Sequence, residues 1–515
     1  MTPRSRIVSV GYSYRVGTVD GASGGTISGN VNITGKANIG TGNSNSGADA
    51  FVAGVYDTAS GNFATVGGGK LNAATSQYTT VSGGASNIAG GYFAAVGGGH
   101  FNYARGDYSV VAGGGGSTTA DSNQAGYWGT VSGGMGDIAS GPWSTVGGGA
   151  YNIASGTSAG VFGGNRNRAR GQFSFVGGGG GSSLADSNSA IGSYSAIGGG
   201  SGNYAPGLWA TVGGGYDNTA SGHRASVGGG QHNSARGEYS VVSGGGGPSR
   251  SDSNSALGQY STIGGGLANI ASGEYTTVGG GGVNNAASGF ATVNGGGYNI
   301  ASGGYAAVPG GSQNTAAGNY SFAAGRRAKA NNQGCFVWGD ATDADVSANN
   351  DNRFVARASG GVYFYSNAAM TTGSYLAAGS GTWQSVSDST KKRNIRLVDT
   401  KSVLEKVSQL PIKQWSYKSQ DPSIEHIGPM AQDFWKLFHV GDDSLTISMI
   451  DPDGIALAAI QQLQKENEQL KKELGDLRRV VEQMASKQQD SNSGKAASAA
   501  FMPKTHKESL KEIAQ

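Results

Sequence analysis

Over most of this chain the apolar residues follow neither a helical nor a simple alternating pattern. They recur as single valines, each followed by glycines. Aligned on that residue, the series runs Val66, Val81, Val96, Val111, Val131, Val146, Val161, Val176, Ile197, Val212, Val227, Val242, Ile263, Val278, Val293 and Val308, with Phe51 one step earlier. The step is 15 residues, and every fourth step is lengthened to 20 or 21. Each long step carries the same insertion, Asp121-Ser122-Asn123, Asp186-Ser187-Asn188 and Asp252-Ser253-Asn254. Six residues after the valine most repeats have asparagine (Asn72, Asn152, Asn218), and three before it an aromatic residue (Phe63, Trp143, Trp209, Tyr260), with Ser158 and Arg224 as exceptions. A period this short predicts one turn of a narrow solenoid, two short strands and two tight bends per repeat. The strand is expected around the valine, with alternation placing the aromatic residue on the opposite face. The glycine cluster is expected at a corner that needs positive φ. At ~4.8 Å per turn, Phe51 to Val308 gives a rod roughly 75–80 Å long. A coil enclosing mostly Val and Ala has little core of its own, which favours lateral association of chains.

Composition removes several classes. Ninety-five of 515 residues are glycine, and 90 of these precede Ser387. There is no Gly-x-y triplet period, so the body is not collagen. No apolar run approaches the ~18 residues of a membrane span. The single cysteine, Cys335, leaves no internal disulfide and no cysteine-based zinc site, and it reads as a small buried hydrophobe. A net charge of +3 is small for this length and argues against a nucleic-acid binder. Met1 to Arg6 is basic, but no apolar segment follows, so no Sec-type signal peptide is expected.

The repeat, for example Trp143-Ser144-Thr145-Val146-Gly147-Gly148-Gly149-Ala150-Tyr151-Asn152-Ile153-Ala154-Ser155-Gly156, resembles the head repeats of trimeric autotransporter adhesins. The resemblance covers about residues 50–325 and implies a left-handed parallel β-roll in which three chains associate. The chain departs from that family in its heavy aromatic column, its regular insertions and the lack of a C-terminal membrane-anchor barrel. The Asp-Ser-Asn insertions offer too few oxygens for calcium and read as Asx-type turns. Asp340, Asp343, Asp345 and Asp351 read as a solvated loop. The aromatic column is either a packing or interface ladder, which is preferred, or a glycan-binding stripe. The six histidines show no ligand spacing, so neither metal nor cofactor is expected.

The last fifth is charged and poor in glycine. Lys401–Leu410 predicts an amphipathic helix with Thr400 as N-cap, Ile412–Tyr417 a strand, Ala431–Phe438 a second helix, and Leu445–Ile450 a second strand. Asp451-Pro452-Asp453-Gly454 reads as a turn opening a long helix. Along that helix Ile460, Leu463, Asn467, Leu470, Leu474, Leu477, Val481 and Met484 form a heptad seam, a coiled coil that fits a dimer or a trimer.

Four stretches carry a second resemblance: Ser387-Asp388-Ser389-Thr390-Lys391-Lys392-Arg393-Asn394-Ile395, then Leu410-Pro411-Ile412 before Trp415-Ser416-Tyr417, then His426-Ile427-Gly428-Pro429-Met430-Ala431-Gln432-Asp433-Phe434, then Asp453-Gly454-Ile455-Ala456-Leu457. About 100 residues resemble the C-terminal intramolecular chaperones of phage tail spikes and fibres, the endosialidase-type (peptidase S74) chaperones. The resemblance implies a tail-fibre-like homotrimer whose C-terminal domain assists assembly and then cuts itself off. It makes Ser387 the nucleophile, Lys392 its general base and Val386–Ser387 the cleaved bond, with Asp388, His426, Gly428 and Gln432 as chaperone-motif residues. The fold class expected is mostly β: a trimeric left-handed parallel β-roll, a small α/β chaperone domain and a coiled coil. The expected divisions are a lead-in (1–50), the roll (51–325), a transition segment (326–386), the chaperone domain (387–456), the coil (457–485) and a disordered tail (486–515). The function expected is a trimeric fibre or adhesin-like protein, extracellular, at a cell surface or on a virion, binding a cell surface or a glycan. Besides its own copies it needs no nucleic acid, membrane span or cofactor. The alternative is a glycan-degrading tail-spike enzyme carrying the same chaperone, which would need paired carboxylates in a cleft.

Overall fold

The structure, a computed structural model, describes residue 30 and residues 32–493. Most of the expected lead-in and residues 494–515 of the expected tail lie outside the described residues. The chain divides into two units, one running to Phe364 and including Tyr375–Gln384, the other made of Tyr365–Ser374 and everything from Ser385.

The first unit is a parallel β-solenoid. Each turn supplies two strands of two residues, such as Thr145–Val146 and Ile153–Ala154. Thr145–Val146 pairs in parallel with Gly160–Val161 of the next turn, and Ile153–Ala154 with Arg168–Ala169. Repeating that step builds a sheet of 21 strands, matched by a second sheet on the other side of the coil. Pairing starts at Ala37–Thr41 and ends at Phe354–Arg357, so the solenoid overruns the expected 51–325 at both ends. At about 4.8 Å per turn this is a coil about 95 Å long. Its interior is filled by the valine column and by the alanines eight residues later, all essentially without solvent exposure.

The corners differ from expectation. The aromatic residue does not alternate with the valine on a strand; it sits in the left-handed region, with φ between 53° and 61° from Phe63 to Tyr320. A second such corner lies five residues after the valine, at Leu71, Tyr151 or Arg166. Left-handed backbone is unfavourable for residues with a Cβ, by roughly 1–2 kcal/mol each. Stacking offsets this: Tyr260–Tyr275, Tyr275–Phe290 and Phe290–Tyr305 lie 4.8, 5.0 and 4.8 Å apart with nearly parallel planes. Each ring therefore turns its faces to its neighbours and its edge to water. The column packs on itself where it is continuous and is interrupted at Ser158 and Arg224. Glycine is required elsewhere, as at Gly84, where φ is 94° and a Cβ would meet the Gly99 carbonyl oxygen at 2.2 Å.

The asparagine column is a buried hydrogen-bond ladder. Asn152 Nδ2 donates to the Gly148 carbonyl of its own turn and the Gly164 carbonyl of the next, both at 3.0 Å, and its Oδ1 accepts the Asn167 backbone N–H at 3.0 Å. Every rung thus ties two turns together and satisfies corner carbonyls that would otherwise be buried unpaired. Asn123, Asn188 and Asn254 are also rungs, so the inserted residues loop out before the ladder resumes. Their aspartates close local turns by reaching back three residues and not, as the Asx reading expects, to a backbone N–H two residues on: Asp186 Oδ2 accepts from Ser183 Oγ at 2.8 Å and Asp252 Oδ2 from Ser249 Oγ at 2.9 Å.

Asp57 and Asp137 interrupt the ladder. Asp137 Oδ1 accepts from Asn152, but Oδ2 occupies the place of the donating Nδ2 and has no partner. Burial raises its carboxyl to about 6. Between the unfolded value near 4 and this folded value the native chain holds more protons than the unfolded one, so stability falls as pH rises through that window. Asp137→Asn restores the donor. It is expected to raise the melting temperature at pH 7, by the equivalent of about 1–3 kcal/mol, and to remove the loss of stability between pH 4 and 6. Thermal melts of both chains across that range check it.

Near the end of the coil the acidic stretch is more than a solvated loop. Asp340 pairs with Arg357 at 2.9 Å, Asp343 with Arg326 at 3.0 Å and Asp345 with Arg327 at 2.8 Å. Cys335 is buried, as expected, with Sγ 3.1 Å from the Asn350 carbonyl oxygen.

Among its described residues the second unit holds three α-helices: α1 (Thr400–Gln409), α2 (Ala431–Phe438) and α3 (Ile450–Ser493). The cap of α1 is Asp399 and not Thr400; its carboxylate accepts the N–H groups of Lys401 and Ser402. Ile412–Trp415 pairs antiparallel with His426–Pro429, whereas Leu445–Met449 forms no strand. Asp451 to Gly454 belong to the first turn of α3, where acidic residues favour the positive helix end and Pro452 loses no hydrogen bond. The helix continues through Ser493, so residues 486–493, expected in the disordered tail, are helical. Among the described residues of this unit only Val403, Phe434 and Ala459 are buried hydrophobics, while the heptad residues Leu463, Leu470, Leu474 and Val481 are each more than half exposed. No described helix is long and apolar enough to cross a membrane.

Candidate active site

The site is built by the segment that follows the strand Trp383–Ser385. The Val386 backbone N–H donates to the Gly373 carbonyl at 3.1 Å, which fixes the residue before the expected scissile bond. Asp388 then caps a short 3-10 turn, Ser389–Lys391. Its Oδ1 accepts the Thr390 N–H and its Oδ2 the Thr390 hydroxyl, both at 2.8 Å. The backbone N–H of Thr390, with its hydroxyl, holds the Asp388 carboxyl below its ordinary value. The turn closes with the Lys392 N–H on the Ser389 carbonyl at 3.1 Å.

That turn decides the geometry. Five residues would separate Ser387 and Lys392 by roughly 140° around an α-helix. The tighter capped turn returns the chain, and Lys392 Nζ lies 2.7 Å from Ser387 Oγ. This is the distance at which a base takes a proton from a nucleophile. Both side chains are exposed to water in the single chain. Residues 387–440 match the family model of the chaperone of endosialidase, Peptidase_S74. Ser387 is the first residue of that match and Lys392 the sixth. No curated protein matches the chain.

The other motif residues lie further along the chaperone segment. His426 faces Trp415 across the antiparallel pair, its ring 4.8 Å from the indole, and its Nε2 is 3.0 Å from Gln420 Oε1. Gly428 is opposite Lys413, and a Cβ there would make only an ordinary contact with Trp415 Nε1, at 4.0 Å. Gln432 lies in the first turn of α2, in a cleft it shares with Trp415, Tyr417, Met430 and Leu445. Among the described residues no hydrogen bond links His426, Gly428 or Gln432 to Ser387 or Lys392. The structure therefore brings together Ser387, Lys392 and the Asp388 cap, and places the rest of the motif on the hairpin and α2. Thr390 and Gly373, which hold the turn and Val386, carry no signal in the sequence, because both act through ordinary backbone and hydroxyl bonds.

A solenoid joined to a chaperone-of-endosialidase segment fits a fibre-like protein that carries its own assembly chaperone.

Proposed function

We infer that the chain forms a homotrimeric fibre that binds a cell surface or a glycan, and that its C-terminal segment assists trimer assembly and then cuts the Val386–Ser387 bond. The observation that carries this reading is the 2.7 Å contact between Lys392 Nζ and Ser387 Oγ at the start of the chaperone segment. Ser387 Oγ attacks the Val386 carbonyl carbon while its proton passes to Lys392. The peptide C–N bond breaks, the Ser387 nitrogen takes up the proton as an amine, and an ester joins Val386 to Oγ. One water hydrolyses that ester, leaving the Val386 carboxylate and restoring the serine hydroxyl. A lysine serves as base only when neutral, a form that removal from water favours. Lys392 is exposed in one chain, so the reading ties cutting to burial by neighbouring chains. The same neighbours would cover the apolar seam of α3 and the exposed Ile427, Leu445 and Met449, which a single chain leaves in water.

The test joins assembly to cutting. Light scattering of the purified protein should give three chains per particle. Leu470→Asp with Leu474→Asp places charges on the seam and should yield uncut monomers. Cutting by such monomers at the wild-type rate would separate the two events and contradict the reading.

A further inference from the structure

Nine residues after each valine the solenoid presents an outward position, occupied by Thr75, Gly90, Ser140, Ser155 and Ser221 among others. Arginine takes it three times, as Arg105, Arg170 and Arg236, each within Ala-Arg-Gly and each on the turn just before an insertion. Their backbone N–H groups donate to the Ala125, Ala190 and Ala256 carbonyls at 3.0, 2.8 and 2.8 Å, so each lies beside the turn that carries Asp-Ser-Asn. All three are exposed, and among the described residues none pairs with a carboxylate, whereas Arg250, Arg326, Arg327 and Arg357 all do. The Arg105 guanidinium lies over the Tyr103 ring, 4.5 Å from its centroid, with Nη1 3.3 Å from Gln124 Oε1, and Arg236 Nε donates to Ser234 Oγ at 2.9 Å. No hydrogen bond joins their side chains to residues 116–121, 181–186 or 247–252 among the described residues, so they do not hold the insertions in shape. At the third site Arg236 lines a polar pocket with Asp217, His232, Arg250 and Ser253.

We propose that Arg105, Arg170 and Arg236 are three equivalent sites for the carboxylates of an acidic polysaccharide lying along the solenoid. The proposal rests on the surface-binding reading above and names the class of ligand. A guanidinium presents a planar fork that suits a carboxylate. At the third site the part-exposed Ser253, which lines the pocket with Arg236, suits a sugar hydroxyl. Four turns separate successive sites, about 19 Å at the spacing of parallel strands. Cations spaced so widely each engage a single carboxylate of such a polymer and need no continuous line of charge on the protein. Duplex DNA carries one charge per roughly 1.7 Å and calls for a continuous basic stripe. Each site alone is weak, and three on one rigid chain act together through effective concentration.

Surface plasmon resonance of the full-length protein over immobilised polygalacturonate, neutral dextran and oligo-dT tests this. Wild type should be retained by polygalacturonate in 0.15 M salt and not by the other two. The triple variant Arg105→Gln/Arg170→Gln/Arg236→Gln should lose more than tenfold in affinity, each single change should lose less, and the melting temperature should not move. Arg326→Gln, which removes a residue already paired with Asp343 and outside the three sites, should bind polygalacturonate like wild type. Equal polygalacturonate binding by the triple variant overturns the proposal, as does retention on oligo-dT equal to that on polygalacturonate. Retention on dextran that ignores the arginines overturns it and keeps the surface-binding reading. No retention on any polymer counts against both.

Discussion

Ser387→Ala and Lys392→Ala chains are expected to run at their full 515 residues in denaturing electrophoresis, while wild type separates into pieces of 386 and 129 residues, since 515 − 386 = 129. Without Oγ there is no attacking atom. Without Nζ the hydroxyl keeps its proton, and loss of a positioned base slows such steps by roughly 10²–10⁴. Lys392→Arg separates base from bystander: it keeps a cation near Ser387 but cannot become neutral in water, so it too should stay uncut. Asp388→Ala acts one step removed. It frees the Thr390 N–H and hydroxyl that close the turn, so the Ser387–Lys392 distance is no longer held and cutting should slow about tenfold without stopping. All four variants should still form trimers, because none lies on the heptad seam. Uncut chains that also fail to assemble would assign these residues to folding instead.

The largest effect on stability is expected in the ladder. Asn218 Nδ2 donates to the Gly214 and Gly230 carbonyls, both at 2.9 Å, and its Oδ1 accepts the Asn233 N–H at 2.9 Å. Asn218→Ala strips the Asn233 N–H and the Gly214 carbonyl of these bonds inside the coil, at about 1–3 kcal/mol for each buried group left unpaired. The melting temperature should fall, and hydrogen exchange should rise first on the turns carrying Asn203 to Asn233. Asn218→Asp should reproduce the behaviour of Asp137: an accepting oxygen is kept, the donor is lost, and the defect deepens above the pH at which the buried carboxyl ionises. An Asn218→Ala chain as stable as wild type would mean that the ladder satisfies nothing the solvent cannot.

Much of the coil was legible because translation along a solenoid repeats side-chain environments. A column that is always valine or always asparagine reports one environment many times, so the period, the core columns and the register of the turns follow from counting. What counting could not give was backbone conformation. Trp143 and Tyr151 carry no mark of a left-handed corner, which bulky residues disfavour. Counting forward from Val176 also hid Asn188, since the insertion lies between them; counting back nine from Ile197 finds it, whereas the same count from Val131 lands on Ser122, one short of Asn123. In the C-terminal unit α2 was read to the residue, because its apolar face is periodic. Leu445–Met449 alternates well enough for a strand but has no partner in the single chain. The Ser387–Lys392 pair was legible only through family likeness, since the turn that joins them depends on how Asp388 caps Thr390.

The most direct test of the account is the mass of the assembled wild-type protein. Trimers isolated by sizing, then denatured and weighed by mass spectrometry, should contain one species ending at Val386 and one beginning at Ser387. Trimers made only of uncut 515-residue chains would contradict self-cleavage and leave the C-terminal segment as an assembly chaperone alone.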